Sequence, residues 1–197
     1  MLNDEEKREI LRIARQSIRA ALERSYVRKS GPAPAPVVLP SDPGSRPLTG
    51  RLGEASGAFV TIRSGGDLRG CIGYIESPYS LGRVVSEVAE KAALEDPRFP
   101  PLTPEEFEGI SLEVSVLSPL RKITSFEEIE VGVHGLLLEL GHHRGLLLPQ
   151  VATEYGWNRD EFLEHTARKA GLPRDAWKDP QAEIYIFSAE IVEEEHG

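Results

Sequence analysis

The chain has 197 residues, 40% of them hydrophobic, and a formal net charge of −9 from 32 acidic and 23 basic side chains. This length and hydrophobic content suffice for one large domain or two small ones without disulfides or metal ions as staples. The negative charge disfavours generic nucleic-acid binding, because the overall field repels polyphosphates. A lone cysteine, a start without a basic and then apolar signal region, and the lack of an apolar run of about 20 residues predict a cytoplasmic protein.

The chain is expected to begin with an amphipathic helix over residues 4–26. Asn3 and Glu6 have the spacing of a capping box, and apolar residues then recur at intervals of three and four. Residues 31–49 are rich in proline, which does not fit a helix interior and is mostly excluded from a sheet ladder. We therefore predict an extended connector at 31–49, as a surface strap rather than a docking peptide.

A β-hairpin and a helix are predicted next. Residues 58–62 are apolar and β-branched, the Ser64-Gly65-Gly66-Asp67 stretch is a turn sequence, and residues 68–75 are predicted as the second strand. A helix with a clear apolar stripe then starts near Ser77 and stops at Asp96-Pro97, since the residue before proline disfavours the helical conformation.

The second half of the chain is predicted to contain paired strands separated by helices. The predicted elements are a short capped helix at 103–106, strands at 110–116, 131–140, 145–148 and 183–192, and a helix from Asn158 to Ala170. Because the strands come as hairpins, the pattern favours an α+β fold with mainly antiparallel sheets and flanking helices over a doubly wound parallel sheet. No linker after residue 50 separates independent domains, and two lobes within one chain remain compatible with the pattern.

The lone cysteine lies in the sequence Leu68-Arg69-Gly70-Cys71-Ile72-Gly73. In a regular strand Arg69 and Cys71 share one face, so a guanidinium beside the thiol would lower its pKa. Glycines within a strand indicate a bulge or the close approach of a ligand or another backbone. Two interpretations stay open: a reactive thiol that borders a concave site with Arg69, and a structural cysteine that packs as a small apolar residue.

Residues 68–73 are identical to the six-residue signature of the AMMECR domain family, named for a chromosomal region of Alport syndrome, midface hypoplasia and elliptocytosis. Other segments resemble the family's in the same order, namely residues 57–61, 96–99, 112–117 and 147–152. The resemblance covers nearly the whole chain outside the connector, so residues 1–197 are identified as one AMMECR-like domain. It implies an α+β fold with two subdomains around a cleft, and brings no known activity. In prokaryotes it implies association with a Memo-like protein and a radical SAM protein, the AmmeMemoRadiSam system.

Candidate site residues follow from these motifs and from elementary chemistry. The candidates for catalysis are Cys71, Arg69, Glu113 and His134, and those for substrate binding are Gly70, Gly73, Asp96 and Arg98. The two arginines would bind a carboxylate or phosphate, Glu113 would act as a general base, and His134 would pair with the thiol. The competing interpretation makes the Asp96–Arg98 segment a turn locked by an ion pair, Glu113 a solvated side chain and His134 a structural histidine.

No cofactor or metal is predicted. The adjacent His142 and His143 would point to opposite faces of a strand, and the sequence has no recognised zinc, Walker or dinucleotide-binding motif. Two functions therefore stay open. One is an enzyme that uses Cys71 on a small anionic or modified substrate, and the other is a non-catalytic adaptor or binding module for a partner protein or peptide. Regulatory RNA binding is a third hypothesis, which the charge disfavours.

Overall fold

A computed structural model describes residues 1–30 and 48–194, apart from the side chains of residues 26–30. The helices are α1 (Asp4–Ser30), α2 (Leu81–Leu94), α3 (Pro104–Phe107), α4 (Pro149–Glu154) and α5 (Arg159–Lys169). The strands are β1 (Ala58–Ser64), β2 (Asp67–Tyr74), β3 (Ile110–Leu117), β4 (Arg121–Lys122), β5 (Gly135–Leu140), β6 (His143–Leu147), β7 (Glu183–Phe187) and β8 (Ala189–Glu193). Helices and two four-stranded sheets confirm the predicted α+β class. The connector predicted at 31–49 lies outside the described residues except for its last two positions.

The chain forms two compact units, and the first combines Met1–Val116 with Glu190–Gly197. Its sheet has the strand order β2-β1-β3-β8, so β2 and β8 are the two edge strands. In the register of the sheet, Thr61 lies opposite Cys71 on one side and opposite Glu113 on the other. Alternate residues of the central strands are buried on the opposite face, where they join the apolar sides of α1 and α2 in one core.

Helix α1 has the predicted capping box at its start. The Asn3 side chain accepts a hydrogen bond from the Glu6 N–H at 2.9 Å, and the Glu6 carboxylate accepts one from the Asn3 N–H at 2.9 Å. Its apolar stripe, which includes Ile10, Ile13 and Ile18, is wholly buried. The helix therefore forms where the sequence predicts it, because local capping and burial of one face act together.

The second unit is Leu117–Ala189, with a sheet of order β4-β7-β5-β6. Its core includes the fully buried Phe162 of α5 and Leu136 of β5. The predicted capping box of α5 is present, since Asn158 accepts from the Glu161 N–H at 3.0 Å. Gly171 has a φ of 75°, the left-handed conformation expected just after this helix.

The structure corrects the expected elements in three places. The strand predicted at 183–192 is two strands in different sheets, β7 and β8, which separate at Ser188. Ser188 bonds with Ser118 instead, through its N–H to the Ser118 hydroxyl at 2.9 Å and its carbonyl to the Ser118 N–H at 2.9 Å. Strand β5 starts at Gly135, after a turn, and α4 was not expected. Among the described residues no helix is long and apolar enough to cross a membrane.

Candidate functional site

The signature residues lie on β2, at the edge of the first unit's sheet. A Cβ on Gly70 would lie 2.2 Å from the Ala92 carbonyl oxygen of α2, so only glycine lets the helix pack this closely on the strand. A Cβ on Gly73 would lie 2.3 Å from the ring of Phe59, its neighbour on β1. Close packing within the unit thus explains both glycines. At Gly70 the neighbour is the backbone of α2, and at Gly73 it is the Phe59 ring.

Asp96 and Arg98 form a clamp on the outer edge of β2. The Cys71 N–H donates to Asp96 Oδ2 at 2.9 Å, and the Cys71 carbonyl accepts from the Arg98 guanidinium at 3.2 Å. Arg98 also donates to both carboxylate oxygens of Asp96, at 2.9 and 2.7 Å. Asp96 is only 4% exposed. The ion pair thus does more than lock its own turn, because it occupies the outward backbone groups of Cys71.

The electrostatic surroundings of Asp96 and Arg98 match this geometry. Hydrogen bonds from Arg98, and then from the Cys71 N–H, hold the pKa of the Asp96 carboxyl far below its usual range despite its burial. The same contact raises the pKa of Arg98. The clamp is therefore a charged pair at all ordinary pH values.

The Cys71 thiol is half-buried, and burial raises its pKa above the ordinary value. The Thr61 hydroxyl lies 3.4 Å from the Cys71 sulfur and, with Arg98, favours the thiolate, but both effects are smaller than desolvation. The expected lowering of the thiol pKa by Arg69 is therefore wrong. The physical reason is that desolvation is the dominant effect and that the cation acting on the thiol is Arg98.

Arg69 binds a different part of the unit. Its guanidinium contacts both oxygens of Glu106, at 3.0 and 3.1 Å, and donates to the Pro100 carbonyl at 2.9 Å. Its side chain is only 12% exposed. The hydrogen bonds from Arg69, and then that from the Thr103 N–H, lower the pKa of Glu106. Arg69 and Arg98 each have an acidic partner of their own, so the predicted anion site shared by the two arginines is not formed by their present contacts.

Glu113 lies in one cross-strand row with Thr61 and Cys71. Its side chain is 12% exposed and lies 3.9 Å from the Arg63 guanidinium, and one carboxylate oxygen accepts from the Ser115 hydroxyl at 3.4 Å. Glu113 is therefore largely buried rather than a solvated glutamate. It also raises the pKa of the Cys71 thiol, as expected for a nearby negative charge.

The last candidate, His134, lies in the second unit, as does His143. The His134 ring nitrogen Nδ1 accepts a hydrogen bond from the Glu130 N–H at 3.1 Å, a local contact that fits a structural histidine. His143 bonds with the Ala170 carbonyl at 3.1 Å. The catalytic role of His134, which depends on its pairing with Cys71, stays a prediction. Within residues 1–30 and 48–194, no three histidine, cysteine, aspartate or glutamate side chains form a group suited to a metal ion.

Sequence reasoning missed Thr61 and Glu106. The register of the β1–β2 hairpin places Thr61 opposite Cys71. Counting residues back from the Gly65-Gly66 turn does not give this pair, because the register shifts between Ile62 and Arg63. Glu106 was recognised as part of a helix cap, and the capping box with Thr103 is present. Its second role as partner of Arg69 depends on tertiary structure and has no local signal.

Comparison with known proteins identifies the family. The AMMECR1 family model matches residues 11–192. A protein of Methanothermobacter thermautotrophicus is 42% identical over 98% of this chain and 97% of its own length, and one of Methanopyrus kandleri is 48% identical over 76% and 77%. The crystal structure of the uncharacterized protein PH0010 from Pyrococcus horikoshii is similar with a TM-score of 0.80 and 38% identity, covering 99% of this chain and 94% of that one. The signature strand, the fold and these matches agree, and the chain belongs to the AMMECR1 family.

Proposed function

We propose that this AMMECR1 protein is a non-catalytic binding module, in which the signature strand is a structural element rather than a source of a nucleophile. The observation that carries this proposal is the clamp on Cys71: its N–H and carbonyl are taken by Asp96 and Arg98. A strand edge closed in this way is rigid and is protected against pairing with other chains.

The thiol itself favours the same conclusion. A catalytic or redox cysteine needs a thiolate near neutral pH, which requires a lowered pKa. Burial instead raises the pKa of Cys71. Arg69, the cation expected to activate the thiol, is held by Glu106 and the Pro100 carbonyl.

The partners we propose are a Memo-like protein and a radical SAM protein. This part rests on the family resemblance together with membership of the AMMECR1 family over residues 11–192. An adaptor would hold its partners through surface contacts that do not depend on thiol chemistry. Exposed side chains of the first unit such as Leu68 and Tyr79 are 38% and 45% exposed and are available for such contacts.

One observation favours a second function, an enzyme acting through Cys71. The thiol, the Thr61 hydroxyl and the Glu113 carboxylate lie in one row across three strands. In such an enzyme Glu113 would accept the thiol proton as the sulfur attacks a small anionic or modified substrate. The raised pKa of Cys71 then requires that proton transfer accompany attack rather than precede it.

Alkylation of Cys71 as a function of pH separates the two functions. Because the chain has one cysteine, modification by iodoacetamide reports on Cys71 alone. A structural thiol should react slowly and with a rate that still rises above pH 9, and Glu113→Gln should raise the rate by removing a negative charge. A rate that is already constant at pH 7, or one that falls in Glu113→Gln, would contradict the binding-module proposal.

The adaptor role is tested directly with purified Memo-like and radical SAM proteins from the same organism. Calorimetry should detect binding to the wild type, and Cys71→Ser should bind equally well, since the thiol has no part in the contact. Glu23→Gln, at an exposed position of α1, is a matched control for a neutral surface change. Failure of both proteins to bind, or loss of binding specifically in Cys71→Ser, would count against the proposal.

A further inference from the structure

A long groove runs along the first unit between α1 and the edge strand β8. Its volume is about 1010 Å³, and Leu11 and Val192 supply its apolar surface. Five basic side chains of α1 line it, against three acidic ones: the basic set is Lys7, Arg8, Arg12, Arg15 and Arg19, and the acidic set is Asp4, Glu193 and Glu194. A basic helix rim of this kind is unexpected on a chain with a net charge of −9.

Strand β8 and the residue after it contribute Val192, Glu193 and Glu194 to the lining of this groove, and β8 is an edge strand of the sheet. The Glu194 N–H donates to the Leu112 carbonyl of β3, so the alternation of a strand turns the N–H groups of Ile191 and Glu193 away from β3. Among the described residues, no strand pairs with this outer edge, because β8 ends the sheet. Ile191 is also 41% exposed, which is unusual for a large apolar side chain on a short strand.

The basic side chains of the rim are not equally neutralised. Arg15 is held by both oxygens of Glu194, at 2.6 and 2.5 Å, and Arg12 by Glu9. Lys7 lies 3.5 Å from Glu190, and Arg8 has no ion-pair partner among the described residues. Arg8 is thus a cation of the groove lining that forms no ion pair with any described residue.

We propose that this groove binds an extended acidic segment of a partner protein, which adds to β8 as a fifth strand of the sheet. Its backbone would pair with the outward groups of Ile191 and Glu193. Side chains of one face would be acidic and contact Arg8 and Arg12, and those of the other face would be apolar and pack beside Ile191. The inference goes beyond the proposed function, since it concerns β8 and not the signature strand, and its failure would leave the Cys71 experiments unaffected.

The test uses a peptide with fluorescein on its N-terminus, fluorescein-Glu-Val-Glu-Val-Glu-Val-Glu-amide, and fluorescence anisotropy at low ionic strength. We expect saturable binding that weakens with salt and falls at least tenfold in Arg8→Glu. Ile191→Pro should cause a similar loss, because it removes an outward N–H while leaving the groups that face β3. Arg168→Glu, an exposed charge reversal on α5 in the second unit, is the matched control and should bind as the wild type does.

A second peptide separates strand pairing from simple charge attraction. The peptide with proline at its central valine keeps the charge but cannot pair along its length, and it should bind at least tenfold more weakly. Equal binding of the two peptides, or unchanged binding in Ile191→Pro with a native circular dichroism spectrum, would overturn the proposal. If Ile191→Pro does not fold, the binding of the first peptide to Arg8→Glu and of the proline peptide to the wild type tests the proposal. Displacement by an RNA oligonucleotide, or a dimer that Arg8→Glu abolishes in light scattering, would assign the groove to another occupant.

Discussion

The two edges of the first unit's sheet differ in how their backbone groups are used. At β2 the outward N–H and carbonyl of Cys71 are bound by the side chains of Asp96 and Arg98. At β8 no strand of the described residues pairs with the outward groups of Ile191 and Glu193, and Glu193 lines the groove beside α1. An exposed strand edge invites pairing with other chains, and proteins usually cover it or charge it. In the described part of the chain, one edge of this sheet is covered by a charged clamp, and the other is flanked by charge with no strand paired to it.

This difference changes how the signature is understood. The residues of β2 that suggested a reactive centre are explained by closure of an edge and by tight packing. Gly70 lets α2 pack closely on the strand, and Gly73 leaves room for the Phe59 ring. Arg69 links the strand to Glu106 through an ion pair. Within residues 1–30 and 48–194, a partner strand meets the clamp at β2 and no paired strand at β8, so the candidate for strand addition is the edge without the signature.

The largest expected effect comes from breaking the clamp itself with Asp96→Ala. The substitution leaves the Cys71 N–H without its acceptor and Arg98 without its counter-charge, and we expect a loss of about 3 kcal/mol in the free energy of unfolding. Urea unfolding followed by circular dichroism measures it. Both tryptophans, at 157 and 177, lie in the second unit, so their fluorescence reports that unit separately. Asp67→Ala, at an exposed position of β2, is the control, and an equal small effect in both variants would show that the clamp adds nothing.

The same carboxylate should make the closed edge sensitive to acid. The pKa of Asp96 is lower in the folded than in the unfolded chain, so its contribution is complete above the unfolded pKa of about 3.9 and is lost as pH falls toward the folded pKa. The wild type should therefore lose stability below about pH 4 more steeply than Asp96→Asn. Urea midpoints measured across this range for both proteins test it. Parallel curves would mean that Asp96 titrates alike in both states.

Local sequence signals predicted most of the elements but not their partners. The capping boxes at Asn3 and Asn158 and the β1–β2 hairpin are present, and β3 alternates from Ile110 to Val114 before it becomes buried on both faces. Each depends on residues only a few positions apart, so a single sequence contains the information. The split between β7 and β8 has no such signal, because no glycine or proline interrupts residues 183–193 and the change of sheet at Ser188 depends on tertiary structure.

The candidate site shows the same limit. The motif residues were identified, but the prediction placed the Arg69 guanidinium beside the Cys71 thiol. In the structure Arg69 contacts Glu106, and Arg98 donates to the Cys71 carbonyl. Arg98 reaches the backbone of Cys71 because the segment after α2 returns to the edge of β2, and this return depends on tertiary structure. The pKa of Cys71 depends on how deeply its sulfur is buried. The alternation of a strand predicts which face a side chain lies on, but not the burial of a single atom. Positions were therefore predictable from motifs, while contacts and charge states required the fold.

Gly70→Ala tests whether tight packing of α2 helps to fix the closed edge. The added Cβ would lie 2.2 Å from the Ala92 carbonyl oxygen, and since this is backbone the helix must move. We expect a loss of about 2 kcal/mol from such overpacking, seen as a lower urea midpoint. Gly109→Ala is the matched control, because its nearest neighbour would lie 3.7 Å away. If the two variants are equally stable, the strand and helix are not as closely constrained as this contact implies.

Arg98→Lys gives the smallest expected effect and separates the charge of the clamp from its shape. Lysine keeps the positive charge beside Asp96, but its single ammonium lacks the planar fork that bonds the carboxylate and the Cys71 carbonyl together. Because the Arg98 side chain is 52% exposed, solvent screens much of the ion pair, and we expect a loss of only about 1 kcal/mol. Hydrogen exchange of the Cys71 amide should become faster, while exchange at Ile191 on the open edge should stay as in the wild type. Unchanged exchange at Cys71 would show that charge alone closes β2, and the contrast between the two edges would then be electrostatic rather than geometric.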